Sequence, residues 1–153
     1  MTERPCFPLF VDLWQKKIVV VGAGKIACRR IETLLQFTPA VTVIAPEIDP
    51  ELLPLAEAGR LELRRKPYEP EDLAGADLVL AAAGDPAVND QVWRDCRERR
   101  LPVNVSSDRA KCDFYFPGVA RQGDLVVGVT ASGRDHHRAK RATELLREFI
   151  REL

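Results

Sequence analysis

A short apolar run that ends in two closely spaced glycines constrains the fold of this chain more than any other feature. Residues 17–21 read Lys-Ile-Val-Val-Val, and Gly22 and Gly24 follow before helix-forming residues begin. In a parallel α/β sheet, the first strand leads to a helix amino terminus, whose unpaired N–H groups and positive dipole favour an anion. Ala27 completes the G-x-G-x-x-G/A spacing, which is typical of dinucleotide-binding turns. The stretch therefore predicts a dinucleotide-binding α/β fold.

Apolar strands alternate with helical patterns along the first two thirds of the chain. Strand-like runs are predicted at residues 17–21, 41–45, 61–64, 77–83 and 101–105. The segments between them include a helix at about residues 49–58 and another that starts at Asp85-Pro86. Strands and helices that alternate over short connections are typical of a Rossmann-like, doubly wound parallel sheet. We therefore expect one α/β domain over residues 1–112.

The pattern changes from residue 113 onward. Strand-like segments are predicted at residues 114–118 and 124–130, with a turn at residues 120–123, and helical spacing follows from Ala142 to Leu153. Because no helix separates the two strands, they should form an antiparallel hairpin. A hairpin and one helix are too small to bury their own apolar surface, so we expect a second subunit to bury it. Residues 113–153 are predicted to form a small hairpin-plus-helix dimerisation segment.

Composition limits the possible partners. The sequence contains 23 Lys and Arg against 23 Asp and Glu. The net charge therefore does not favour binding to nucleic acid or to a membrane surface. No apolar run approaches the roughly 20 residues that a membrane helix needs, so we expect a cytoplasmic protein. The cysteines are widely spaced without a C-x-x-C pair, which argues against a structural zinc site.

Two strand ends carry candidate cofactor contacts, because ligands of doubly wound sheets bind at the carboxyl ends of the strands. The acidic residue that usually binds ribose is displaced in this chain, since Pro46 and Glu47 follow the second strand. No arginine stands there to receive a 2′-phosphate, so NAD is favoured over NADP. After the fourth strand, Asn89 either lies along the cofactor path or solvates the first turn of its helix, and the sequence leaves both alternatives open.

Two further segments carry charged residues. Asp108 and Asp113 follow the fifth strand and could accept the proton released in a hydride transfer, although an Asx turn or helix cap is the alternative. Ser132 is most simply a helix cap. The run from Arg134 to Arg141 contains both histidines and is either a solvated helix start or a pocket for a substrate with several carboxylates. Adjacent histidines on a helix point about 100° apart and share one metal poorly.

Together these motifs resemble the precorrin-2 dehydrogenase family, which includes the dehydrogenase-chelatase module of siroheme synthases. The matching stretches are residues 7–13, 20–27, 41–47, 68–73, 85–89, 103–105, 112–117, 123–125 and 132–133. They occur in the family's order over nearly the whole chain. The resemblance implies an NAD-dependent oxidation of the tetrapyrrole precorrin-2 to sirohydrochlorin by a homodimer.

The resemblance also implies roles for individual residues. The expected pyrophosphate contacts are Gly22, Gly24, Lys25 and Ile26, with Pro46, Glu47 and Asn89 along the rest of the cofactor. The expected catalytic residues are Asp108 and Ser107, and the expected substrate contacts are Asp113, Ser132, Arg134, His136 and Arg138. Some relatives also insert ferrous iron, and where they carry an Asp after Asn-Val-Val this chain has Ser107. We therefore expect weak or no iron insertion. The alternative function is a non-catalytic, NAD-sensing regulatory domain.

Overall fold

The computed structural model describes residues 5–153, which form two compact units. The parallel-sheet unit comprises Asp12–Phe114. The hairpin unit comprises Tyr115–Leu153 together with the residues up to Val11. The chain passes from the parallel-sheet unit to the hairpin unit between Phe114 and Tyr115. The predicted division into a cofactor domain over residues 1–112 and a dimerisation segment over residues 113–153 stays a prediction.

Five parallel strands form the sheet of the first unit. They are β1 (Ile18–Val21), β2 (Val41–Ala45), β3 (Glu62–Arg65), β4 (Leu78–Ala81) and β5 (Val103–Val105). The order is β3-β2-β1-β4-β5, so the chain starts in the middle of the sheet and winds outward in both directions. Every residue of β1 and β2 is buried, as expected for central strands that are covered on both faces. The predicted Rossmann-like sheet is confirmed.

Three α-helices belong to the parallel-sheet unit. They are α1 (Lys25–Leu34), α2 (Leu53–Glu57) and α3 (Pro86–Arg99). Short 3₁₀ helices occur at Pro50–Leu52, Pro70–Leu73 and Arg109–Lys111. Helix α1 buries Ala27, Cys28, Ile31 and Leu34, which recur at helical spacing on one face. Helix α3 starts as predicted, with the Asp85 carboxylate accepting a hydrogen bond from the Ala87 N–H at 2.9 Å. No helix within residues 5–153 is long and apolar enough to cross a membrane.

The second unit contains the predicted antiparallel hairpin, and its second strand lies within the predicted residues 124–130, but its first strand lies further along the chain than predicted. Strand β6 spans Gly118–Gln122 and pairs antiparallel with β7 (Leu125–Val129), and Gln122 lies opposite Leu125. The turn is therefore Gly123-Asp124, with φ of +59° at Gly123. The predicted strand at residues 114–118 and turn at 120–123 were wrong. A two-residue turn that begins with a glycine at positive φ suits the twist of a hairpin better than the longer alternative.

Helix α4 completes the hairpin unit and spans His136–Ile150. Its first residue is earlier than the apolar spacing indicated, because the first turn is polar. Asp135 caps the helix, since its carboxylate accepts a hydrogen bond from the Arg138 N–H at 2.8 Å. The predicted cap at Ser132 was wrong. Ser132 instead adopts a left-handed conformation, with φ of +54°, in the turn that precedes the helix.

Candidate functional site

A cleft of about 780 Å³ opens at the carboxyl ends of the central strands. This volume falls within the range of small-molecule and cofactor sites. The cleft is bordered by the glycine turn after β1, the loop after β2, the loop after β3 and the start of α3. Its lining includes Gly22, Gly24, Pro46, Glu47, Asp49, Tyr68, Ala83, Asp85, Val88 and Gln91. The cleft therefore occupies the position at which a doubly wound sheet binds its ligand.

Gly22 allows the turn after β1 to pass close to the strand beside it. Its φ is +114°, and a Cβ at this position would lie 2.2 Å from the Ala82 carbonyl oxygen. Its N–H donates a hydrogen bond to the Ile44 carbonyl at 2.9 Å. Because the positive φ and the lack of space both exclude a side chain, the fold requires glycine at this position whether or not a ligand is bound.

Gly24 differs from Gly22 in what surrounds it. It is the N-cap of α1 and supplies no capping side chain, and the first turn of α1 contains no acidic residue. A Cβ at Gly24 would meet no protein atom within 4 Å, so packing within the chain does not require a glycine. An open helix amino terminus with uncapped N–H groups suits an anion, and the missing side chain leaves room for it. These residues fit the pyrophosphate of a dinucleotide.

Lys25 and Ile26 lie beside the cleft in the first turn of α1. The Lys25 ammonium contacts the Asp49 and Glu51 carboxylates, each at 3.1 Å. Hydrogen bonds from these two groups, that of Asp49 first, raise the pKa of Lys25. The Ile26 side chain is exposed. Neither residue is part of the cleft lining, so a contact with pyrophosphate by these two residues stays a prediction.

The loop after β2 forms the opposite border of the cleft. Pro46 and Glu47 line it and are exposed, and their contact with a cofactor stays a prediction. Asp49 also lines the cleft, and sequence reasoning missed it. The expected position of a ribose-binding acid is the end of the second strand, and Asp49 lies four residues beyond Ala45. A tertiary contact between the Asp49 N–H and the Ala23 carbonyl, at 3.0 Å, places it beside the glycine turn.

Asn89 is buried and holds two strand-end loops together. Its carboxamide oxygen accepts a hydrogen bond from the Ala83 N–H at 2.9 Å, and its nitrogen donates to the Ala83 carbonyl at 3.0 Å. The same nitrogen donates to the Ser107 hydroxyl at 3.1 Å. The side chain thus fixes the loop after β4 against the loop after β5. A direct contact between Asn89 and a cofactor remains a prediction.

Asp108 forms the cap that the sequence offered as one alternative. Its carboxylate accepts a hydrogen bond from the Ala110 N–H at 2.9 Å, and Lys111 lies 3.6 Å away. Lys111 also pairs with Asp90, and its Nζ lies 5.3 Å from the centre of the Trp93 ring. Hydrogen bonding to Asp90 and then to Asp108 raises the pKa of Lys111. Asp108 is therefore a helix cap beside a cation, and its role as a base stays a prediction.

Asp113 lies along the outer side of β5. One carboxylate oxygen accepts a hydrogen bond from Arg97 at 2.7 Å, and the other accepts one from the Val103 N–H at 3.0 Å. Its own N–H donates to the Val103 carbonyl at 2.9 Å. Both oxygens thus fasten the segment after β5 to the first residue of that strand. A contact between Asp113 and substrate stays a prediction.

The remaining predicted substrate residues belong to the hairpin unit. Arg134, His136 and Arg138 lie at the start of α4 and are exposed, and Ser132 lies in the preceding turn. Cations in the first turns of a helix oppose its dipole, at a cost of about 0.3–1 kcal/mol each. This placement does not stabilise the helix, and a contact between these residues and substrate stays a prediction.

Tyr68 is a second cleft residue that sequence reasoning did not single out as a site residue. It follows β3, and its hydroxyl donates a hydrogen bond to the Asp95 carboxylate at 2.8 Å. Gln91 donates to the other oxygen of Asp95 at 2.9 Å. Burial, and then the interaction with Asp95, raise the pKa of the Tyr68 hydroxyl. A neutral aromatic ring is thus held at the border of the cleft.

The cleft and the glycine turn agree with a comparison against known families. Residues 9–118, which exceed two thirds of the chain, match the model of a family described as "Putative NAD(P)-binding". The chain belongs to this family. The uncapped start of α1 and the open space at Gly24 fit the dinucleotide that the family description names.

Individual relatives extend the comparison to the hairpin unit. The chain is 36% identical to siroheme synthase 1 of Cronobacter sakazakii over 146 residues, which cover 95% of this chain and 30% of that protein. It is 40% identical to the siroheme synthase of Pseudomonas entomophila over 126 residues, which cover 82% of this chain and 27% of that protein. The chain thus spans less than a third of the length of these curated relatives.

A solved structure supports the same relationship. The structure described as SirC, precorrin-2 dehydrogenase, matches with a TM-score of 0.82 and 29% identity, over 94% of this chain and 70% of that one. The match confirms the fold predicted for both parts of the chain. The resemblance to the precorrin-2 dehydrogenase family that was stated from the sequence is also confirmed.

Proposed function

We propose that this chain is an NAD-dependent dehydrogenase that oxidises precorrin-2 to sirohydrochlorin in siroheme biosynthesis. The observation that carries the proposal is the match to a precorrin-2 dehydrogenase structure over 94% of the chain. The siroheme synthases that match over most of the chain point to the same pathway. The cleft beside the glycine turn supplies a place for the cofactor.

The parallel-sheet unit binds and orients the cofactor. Bound NAD would supply the hydride acceptor for this oxidation. The glycine turn and the amino terminus of α1 receive the pyrophosphate, because they offer uncapped N–H groups and no acidic side chain. Asn89 keeps the loops after β4 and β5 in place through Ala83 and Ser107.

The second product of the oxidation is a proton, and Asp108 is our candidate acceptor. Its carboxylate has oxygen lone pairs that the Ala110 N–H does not use, and its side chain is 40% exposed. Asp108→Asn preserves an N-cap but removes the base. We expect slower oxidation with an unchanged Kd for NAD. Unchanged turnover would remove Asp108 from the mechanism.

The basic side chains around the start of α4 are our candidates for binding substrate carboxylates. Arg134, His136 and Arg138 are exposed and lie within one short stretch of chain, and arginine forms charge-assisted bonds to carboxylates. Arg138→Gln should raise the KM for precorrin-2 and leave the Kd for NAD unchanged. Arg151→Gln, an equal loss of charge just after the same helix, is the matched control and should leave both constants unchanged.

A turnover assay tests the proposed activity. The full chain is incubated with precorrin-2 and NAD, and NADH absorbance and the sirohydrochlorin spectrum are followed together. We expect both to rise at equal molar rates. Tight NAD binding without any turnover would contradict the dehydrogenase and favour the regulatory alternative.

Iron insertion is expected to be weak because Ser107 stands where some relatives have an aspartate. The Ser107 hydroxyl accepts a hydrogen bond from Asn89 and carries no charge to bind a metal ion or a proton. Ser107→Asp should increase ferrous insertion into sirohydrochlorin relative to the wild type. Robust insertion by the wild type would refute this expectation.

We also propose that the chain acts as a homodimer. Leu145 and Phe149 lie one turn apart on α4 and are 57% and 59% exposed, and such apolar pairs are commonly covered by a second subunit. Phe149→Glu should shift the sedimentation coefficient from dimer to monomer. Glu148→Lys, an equally exposed neighbour, should leave it unchanged. A monomeric wild type would overturn the proposal.

A further inference from the structure

Two carboxylates on the loop after β2 border the cofactor cleft, and they differ in how they are held. The Glu47 side chain is exposed, and no hydrogen bond or ion pair involves it among the described residues. The Asp49 side chain is only 12% exposed and lines the same cleft. A ligand would therefore meet one carboxylate that is held by other residues and one that is not.

Asp49 is fixed at three points. Its backbone N–H donates to the Ala23 carbonyl at 3.0 Å, which ties the loop to the glycine turn. One carboxylate oxygen accepts a hydrogen bond from the Glu51 N–H at 3.0 Å. The other lies 3.1 Å from the Lys25 ammonium. These contacts place a carboxylate beside the first turn of α1 before any ligand arrives, so little conformational entropy is lost on binding.

The same contacts keep Asp49 ionised and leave it able to accept more hydrogen bonds. Hydrogen bonding by the Glu51 amide, and then by Lys25, lowers the pKa of the Asp49 carboxyl. An ionised carboxylate offers about four acceptor sites, and Glu51 and Lys25 use one on each oxygen. The remaining sites suit a pair of neighbouring hydroxyls, which is what a ribose presents.

We propose that Asp49, rather than Glu47, accepts hydrogen bonds from the adenosine ribose hydroxyls and selects NAD over NADP. The inference rests on the proposed use of the cleft for a nicotinamide dinucleotide. A 2′-phosphate at this position would face the carboxylates of Asp49 and Glu51, with Lys25 as the single cation that contacts them within the described residues. Like charges at close range are unfavourable in a partly enclosed site.

Lys25 acts as the positioning residue in this arrangement. Its ammonium holds one oxygen of Asp49 and also contacts Glu51. It thereby offsets the repulsion between these carboxylates and the pyrophosphate at the start of α1. A lysine that only bound pyrophosphate would act independently of Asp49, whereas a lysine that positions Asp49 loses its effect on NAD binding when Asp49 is replaced.

The test measures Kd for NAD and for NADP by titration calorimetry with the full chain in the absence of substrate. Asp49→Asn keeps an N-cap for the 3₁₀ helix and should weaken NAD binding about tenfold or more. NADP binding should change little or improve, so the ratio of the two constants falls. Glu57→Gln is the matched control, since it removes the same charge at an exposed position outside the cleft lining and should leave both constants within about twofold.

Lys25→Gln provides a second, independent variant. It should weaken NAD binding, and this effect should largely disappear when Lys25→Gln is added to Asp49→Asn. A loss of NAD affinity from Lys25→Gln that is the same in the wild type and in Asp49→Asn would overturn its positioning role. A fall in the ratio for Glu47→Gln with no change for Asp49→Asn would overturn the proposal for Asp49.

Binding and turnover distinguish this inference from the proposed enzyme activity. A wild-type protein that prefers NAD through Asp49 but oxidises no precorrin-2 would refute the activity and retain the inference. A wild-type protein that oxidises precorrin-2 with a preference for NAD that Asp49→Asn leaves unchanged would refute the inference and retain the activity.

Discussion

The two units of the chain bury their residues to different extents. In the parallel-sheet unit, β1, β2 and β5 are buried at every position. In the hairpin unit, β6 and β7 are mostly half-buried or exposed, and the buried residues are Ala120, Thr143 and Ile150. The first unit therefore has a continuous apolar core of its own. The second unit depends on a few close contacts between its hairpin and its helix.

This difference bears on how each unit is used. A unit with a continuous core can hold a cleft in a fixed shape, because close-packed interiors resist deformation. A unit with a small core and exposed apolar side chains on α4 has surface left for a partner. Both tryptophans, Trp14 and Trp93, belong to the parallel-sheet unit, so tryptophan fluorescence reports the unfolding of that unit separately.

The largest expected effect is that of Gly22→Ala. The added Cβ would lie 2.2 Å from the Ala82 carbonyl, and the residue would keep a φ of +114°. Backbone strain and overpacking together should lower the free energy of unfolding by about 3–5 kcal/mol. Urea unfolding followed by tryptophan fluorescence measures this loss. NAD binding should disappear at the same time, since the turn can no longer pass beside β4.

Gly24→Ala is the control that separates binding from stability. A Cβ there meets no protein atom within 4 Å, so the free energy of unfolding should change by less than about 1 kcal/mol. NAD affinity should nevertheless fall, because the methyl group takes space next to the start of α1. Equal destabilisation by both alanine variants would contradict the distinction between the two glycines.

The sheet was predictable because its signals are local. The valines of β1 and β2 form short apolar runs, and Gly22 and Pro46 mark their ends. The hairpin was misplaced because Phe114, Tyr115 and Phe116 have a composition typical of strands, although they lie outside β6. Aromatic composition indicates a half-buried surface rather than a ladder of hydrogen bonds.

The candidate site was predictable only in part, because only some of its signals are local. The glycine turn carries a spacing that can be read from the sequence, whereas the place of Asp49 depends on a hydrogen bond to Ala23. Asn89 likewise shows no local sign that its carboxamide will join the loops after β4 and β5. Contacts between residues far apart in the chain leave little trace in a single sequence.

The next largest effect is expected from Asn89→Ala, which tests whether the buried core keeps the cleft in shape. The change leaves the Ala83 N–H and carbonyl without their partner and should cost about 2–3 kcal/mol. The measurement is the urea midpoint by tryptophan fluorescence. Ser107→Ala removes only one acceptor of Asn89 and should cost less than about 1 kcal/mol. A larger loss from Ser107→Ala would contradict the conclusion that Asn89 stabilises the fold mainly through its two hydrogen bonds to Ala83.

Gly118→Ala should have a moderate effect that is confined to the hairpin unit. Its Cβ would lie 2.2 Å from the Thr143 hydroxyl oxygen on α4, and we expect a loss of about 1–2 kcal/mol. Hydrogen exchange of β6, β7 and α4 should become faster while the tryptophan transition stays in place. Adding Thr143→Ala should restore part of the protection. A shift of the tryptophan transition by Gly118→Ala would show that the two units unfold as one.

The smallest expected effects compare one hydrogen bond in each unit. Tyr68→Phe removes the half-buried bond to Asp95 and should cost about 1 kcal/mol, since Asp95 is buried and loses a donor. Arg147→Met removes the bond from the guanidinium to the Val119 carbonyl, at 2.9 Å. Because this bond is exposed, its loss should change stability by less than about 0.5 kcal/mol.

Urea unfolding followed by tryptophan fluorescence measures the change in Tyr68→Phe, and hydrogen exchange of β6 and α4 measures the change in Arg147→Met. A larger cost for Arg147→Met than for Tyr68→Phe would mean that the hairpin unit is stabilised at its surface, and the contrast in core burial would then not predict where the chain is sensitive to substitution.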